Sequence, residues 1–202
     1  MSTGFDGASS VDVLGGLPAD ERRALERIAK RRLWVALPLA HEEAEPAFYH
    51  HPGASLPRRE DDGIRLRVLA GSAFGMTSPV QTLSPLFYVE AAMSAGSALS
   101  LPSEHEERAV YVVHGAVGCG TERTEAGRML VFVPGAAVAL RADSAARIVL
   151  LGGAPLDSRR CIHWNFVSSS RERIEQAKRD WKERRFPRVP GDEVEFVPLP
   201  DS

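Results

Sequence analysis

Cysteine is scarce in this chain. Cys119 and Cys161 are the only two, too few and too far apart for a zinc cluster or a disulfide framework. Such usage suits a reducing compartment, so the sequence reads as cytoplasmic, with two thiols in or near the core. Long apolar runs are missing as well. No stretch approaches the roughly 20 residues of a spanning helix, and the opening MSTGFDGASS has neither the basic start nor the apolar middle of an export signal. A surplus of one charge sign is also lacking. The formal net charge is −2 and the isoelectric point about 6.3, so no basic field exists to neutralise phosphates. Membrane and nucleic acid are both disfavoured as partners. Finally, no Walker motif, dinucleotide fingerprint or G-x-S-x-G elbow occurs, so Ser78, Ser84 and the run Ser168, Ser169, Ser170 have no nucleophile pattern around them.

What is present is a series of short β-like runs. At 202 residues with 44% hydrophobic content the chain can bury a core of ordinary domain size. From Ile64 onward IRLRVLAG, LFYVEAAM, SALSLP, RAVYVVHGAV, RMLVFVPG, AVALRA and RIVLLGG follow one another, rich in Val, Leu and aromatics and separated by Gly, Pro and Ser turns. The spacing predicts a mainly β fold, a closed or two-sheet antiparallel jelly-roll barrel. Residues 1–16 read as a loose leader. Pro18 opens a short helix, with acids early and bases late, to about residue 32. LWVALP, Leu33 to Pro38, reads as a strand and the stretch to Gly63 as a polar connector broken by Pro46, Pro52 and Pro57. After Val167 the period changes. A capping box from Ser169 to Glu172 starts a helix with Ile174, Ala177 and Trp181 on one face and a Glu175 to Arg179 surface pair. Val194, Phe196, Val197 and Leu199 then lie in an extended tail.

LWVALP, EPAFYH, GIRLRVLAGSAFGMTSPV, EHEERAVYVVHGAV, LLGGAPL and HWNFVSSSRERIEQAKRDW with VPGDEVEFVPLP, in that order, resemble the second half of a bacterial pirin over about 170 residues. The resemblance implies a cupin-type jelly-roll, a double-stranded β-helix. Its domain would span 33–167 with a core at about 55–155, preceded by the 1–32 leader and followed by a helix and tail at 168–202. Pirins are bicupins whose amino-terminal barrel carries an iron held by histidines and a glutamate. Only 32 unrelated residues precede the LWV segment here, so the resemblance implies that this metal-bearing half is absent.

The remaining barrel can be tested against the metal pattern of cupins, two His and a Glu around one hairpin and a third His from the next. Counting back from Gly115, the glutamate place is Arg108 and the paired histidine places fall in Leu101 to Glu104. Counting forward from Gly127 through Pro134 and Gly135, the third histidine place falls near Leu140. None of these is a ligand, so no cofactor is expected and no catalytic residue is named. His105, Glu107 and His114, with Glu106, are the remaining candidates for a non-standard metal site, against their plainer reading as turn charges and one outward histidine. Adjacent His50 and His51 point to opposite sides of an extended segment and cannot chelate together. His163 and Trp164 read as an anchor for the tail.

Three functional readings follow. The first is a non-catalytic binding or regulatory cupin module. The second is part of a pirin-type quercetin 2,3-dioxygenase, a metal-dependent flavonol oxygenase, with iron or another divalent metal supplied by a partner or missing half. The third is one side of an obligate oligomer, a homodimer or a complex with a protein covering the face that the other cupin half would occupy.

Overall fold

In the computed structural model, residues 8–12, 33–187 and 196–200 are described. The helix expected before residue 33 and tail residue Val194 lie outside them. The chain divides into two compact units, one of residues 1–33 with 46–155, the other of residues 34–45 with 156–202.

The first unit is the barrel. Its larger sheet runs in the order β1 (Ala8–Asp12), β10 (Arg128–Phe132), β7 (Glu107–His114), β12 (Ala146–Gly153), β5 (Leu86–Met93), β3 (Ile64–Ala73), β2 (Arg58–Asp61), with β4 (Met76–Thr77) folded back on β3. The smaller sheet is β6 (Ala98–Ser100), β11 (Ala139–Ala142), β8 (Ala116–Cys119), β9 (Glu122–Glu125). Every pairing in them is antiparallel. Side chains alternate across a strand, so one apolar residue in two faces inward. Val110 and Val112 of β7, Ile148 and Leu150 of β12, Phe87, Val89, Ala91 and Met93 of β5 and Ile64, Leu66 and Val68 of β3 form that inner face. Val117, Leu140 and Ala142 of the smaller sheet complete the same core. Each such side chain contributes about 1.5–3 kcal/mol when taken fully out of water. This burial, and not the short strands' own propensity, holds the sheets together.

Two local features set the barrel's corners. Gly71 sits at φ +69°, and a Cβ there would lie 1.8 Å from the Leu86 carbonyl oxygen, so only glycine fits where β3 crosses β5. The β2–β3 hairpin turns through Asp62 and Gly63, both at positive φ, a two-residue turn matched to the twist of its strands.

The second unit contains the hairpin β13 (Cys161–His163) and β14 (Phe166–Ser168) and the helix α1 (Arg171–Lys182). Ile174 and Ala177 of α1 are buried, and Trp181 packs at 5.1 Å from Trp164 and 5.6 Å from Phe196 between ring centroids. The Trp181 indole Nε1 donates to the Val197 carbonyl at 2.9 Å. The tail is thus fastened by the aromatic cluster around Trp164, as expected.

Several expectations are corrected. Residues 33–38 form no strand. They lead irregularly into a 3-10 turn, Leu39–His41, and their ties run to Arg160, which donates to the Leu37 carbonyl at 2.7 Å, and to Asp157, which accepts from the Leu39 amide at 2.8 Å. The leader contains a strand, β1, which pairs along β10. The connector contains β2. Helix α1 is capped by Ser170, whose hydroxyl accepts from the Arg173 amide at 3.2 Å, because Ser169 is committed elsewhere: its amide and hydroxyl both donate to Glu42. Glu175 pairs with Lys178, not Arg179, which donates to Gln176.

Candidate functional site

One residue breaks the apolar pattern of the inner face. Arg108 stands two residues before Val110 on β7, so strand alternation turns it inward, and it is only 2% exposed. Its Nη2 donates to the Ala136 carbonyl at 2.6 Å and its Nη1 to the Pro102 carbonyl at 3.3 Å, joining the β6–β7 and β10–β11 loops across one end of the barrel. Its Nε is buried with no hydrogen-bond partner among the described residues. No carboxylate pairs with it among the described residues. A buried charge is costly without an opposing charge and full hydrogen bonding, so this arrangement is unusual for a core position.

The register explains the neighbourhood. Arg108 lies opposite Gly152 of β12, and Gly152 lies opposite Phe87 of β5. A Cβ on Gly152 would meet the Phe87 ring at 2.7 Å and the Glu107 carbonyl oxygen at 2.0 Å, so glycine is needed for the ring to lie across the strand. The His105 ring packs against Phe87 at 4.9 Å between centroids. His105 Nε2 is 3.0 Å from the Ser72 carbonyl. A carbonyl can only accept, so Nε2 carries the hydrogen and His105 is held in that tautomer.

The three histidine and glutamate candidates are not gathered. Glu107 and His114 begin and end the eight-residue β7, about 23 Å apart at the rise of a strand. His114 is exposed opposite Arg147, and Glu107 is exposed opposite Gly153. Among the described residues no group of three or more His, Cys, Asp or Glu could hold a metal. Nor do the cupin places fit one: Leu101 and Leu140 are core residues, and Arg108 brings a cation where a metal motif has an anion. His50 is exposed and His51 half-buried on an unpaired segment. Ser78 is structural, donating to the Leu69 carbonyl and accepting from the Val80 amide. In the sequence Arg108 stands out only as a non-ligand at a ligand place. Its place two residues before Val110 and four before Val112, in step with the strand period of two, is the signal that it faces inward.

A concavity of about 230 Å³ opens beside β3 and β6, lined by Arg59, Asp61, Ile64, Leu66, Phe74 and Leu99 among others. The Arg59 guanidinium lies 5.9 Å from the centre of the Phe74 ring. Elsewhere, burial followed by the charge of Glu122 pushes the Cys119 thiol above its ordinary pKa, so it stays protonated at neutral pH.

Two antiparallel sheets around one apolar core, closed at one end by loops, define a cupin-type barrel. The family description Pirin C-terminal cupin domain matches residues 88–187. A pirin-like protein of Caulobacter vibrioides is 47% identical over 177 residues, covering 87% of this chain and 61% of that protein. The crystal structure of a quercetin 2,3-dioxygenase from Acinetobacter baumannii superposes with a TM-score of 0.75 at 26% identity, covering 84% of this chain and 57% of that one. The chain belongs to the pirin family and carries its C-terminal cupin half. It spans about three fifths of the length of the curated relatives it matches.

Proposed function

We propose that this pirin-type cupin is a metal-free binding or regulatory module and not a catalyst. One observation supports the reading: counted from the turn glycines, the place of a cupin's metal-binding glutamate falls on Arg108, whose guanidinium is buried, while the histidine places fall in Leu101 to Glu104 and near Leu140, none of them a histidine. A divalent cation there would face the like charge of Arg108 and the hydrocarbon side chains of Leu101 and Leu140, with no histidine at the counted places to replace its water. Metal-dependent oxygenation therefore has no support from this barrel's own residues. Both cysteines are free thiols, which supports a reducing, cytoplasmic setting, and no helix among the described residues is long and apolar enough to cross a membrane.

The likeness to a structure titled quercetin 2,3-dioxygenase favours a second reading, in which the chain works as part of a flavonol oxygenase. Elemental analysis after expression with iron, nickel, zinc and manganese, followed by a quercetin turnover assay of the chain by itself, tests whether this barrel holds a metal and cleaves a flavonol on its own. The proposal expects metal far below one equivalent and no turnover. Near-stoichiometric metal with flavonol cleavage would refute it.

A further inference from the structure

We infer that Arg108 is the receptor for a small carboxylate anion of formate or acetate size, bound at the loop end of the barrel. The inference rests on the metal-free reading above and gives that module a ligand class. A guanidinium has five N–H donors in a fixed fork. Here two carbonyls engage Nη1 and Nη2, and Nε is buried with no hydrogen-bond partner among the described residues. Backbone carbonyls supply only partial negative charge, and the side chain is 98% removed from water with no carboxylate paired to it among the described residues.

A carboxylate meets both needs together. It brings the missing full charge, and its two oxygens match the Nε and Nη hydrogens of one guanidinium edge side by side. Halides could satisfy the charge but use only one direction of the fork. The ligand must be small because the surroundings are filled: Phe87 lies across Gly152, and Leu101 and Leu140 belong to the packed core.

The test is an acetate titration of the intact chain against sodium sulfate at equal ionic strength. The expected result is a saturable rise in Tm of about 5–10 °C at a hundred-fold excess over Kd. An Arg108 Nε–H resonance should shift and saturate over the same concentrations. Arg108→Lys keeps the charge but lacks the Nε hydrogen and the fork, and Arg108→Met removes the charge, so both should lose the acetate-specific rise. An equal rise in wild type and variants overturns the site. Should neither variant fold, the wild-type resonance decides, since an Nε–H signal indifferent to acetate also overturns it. Metal content of the same preparation keeps the two claims apart. Stoichiometric metal sinks the metal-free reading, whereas metal-free protein that ignores acetate sinks the anion site alone.

Discussion

Replacing Arg160 by methionine probes the second unit at the point where its two chain segments meet. The Arg160 side chain is 4% exposed and its Nε pairs with Glu42 at 2.5 Å, while Glu42 is itself 13% exposed. The same guanidinium reaches Asp157 at 2.8 Å, the Leu37 carbonyl at 2.7 Å and both the carbonyl and hydroxyl of Ser158. Methionine fills much of the volume but leaves the Glu42 carboxylate buried, with only the Ser169 amide and hydroxyl to serve it. Removing one partner of a buried pair costs about 3–5 kcal/mol. At a urea m-value of about 2 kcal/mol per molar, the midpoint falls by about 1.5–2.5 M. The assay has a built-in location. All three tryptophans, Trp34, Trp164 and Trp181, lie in the second unit, and all three tyrosines, Tyr49, Tyr88 and Tyr111, lie in the barrel unit. Fluorescence excited at the indole therefore follows the second unit, and far-UV dichroism is dominated by the strands of the barrel. Glu42→Gln combined with Arg160→Met removes both charges and should recover part of the loss, with a coupling of about 2–3 kcal/mol. A single-variant shift below about 0.5 M, or a coupling near zero, would refute the reasoning.

Two further outcomes are expected. Gly71→Ala should destabilise the barrel by more than 2 kcal/mol, because its Cβ would collide with the Leu86 carbonyl, whereas Gly75→Ala, with similar φ but open space around it, should cost only about 1 kcal/mol; thermal unfolding by dichroism compares them directly. The Asp157 carboxyl is held below its ordinary pKa by hydrogen bonds from Arg160 and the Leu39 amide. Its contribution is present above the unfolded carboxylate value of about 3.9 and is lost as pH falls through the lower folded value. The fluorescence-detected urea midpoint of the wild type should therefore drop more steeply between about pH 5 and pH 2 than that of Asp157→Asn; parallel curves would count against the linkage.

The strands were legible because burial on one face imposes a period of two. LFYVEAAM became Leu86–Met93, and RAVYVVHGAV spans β7 and β8. The composition of LWVALP suits a strand, yet among the described residues no backbone ladder pairs with it; Arg160, more than 110 residues away, holds its Leu37 carbonyl, and Asp157 holds the Leu39 amide just after it. The β2–β3 hairpin was missed although Asp62-Gly63 is a strong two-residue turn signal, since the flanking RRED has no apolar face to mark it as a strand. The capping box was placed one residue early because three serines in a row offer equivalent hydroxyls, and only the position of Glu42 commits Ser169 away from the helix.

By itself the sequence determined the fold class, the order of the barrel strands and the terminal helix, because each of these depends on residue type and local spacing. Tertiary structure alone decided which polar residues meet. It separated Glu107 from His114 along one strand, grouped residues 34–45 with the chain after 155, and enclosed the Arg108 guanidinium between two loop carbonyls with its Nε unpaired. Those outcomes follow from sheet register and long-range contacts, which bring together groups that no local pattern links.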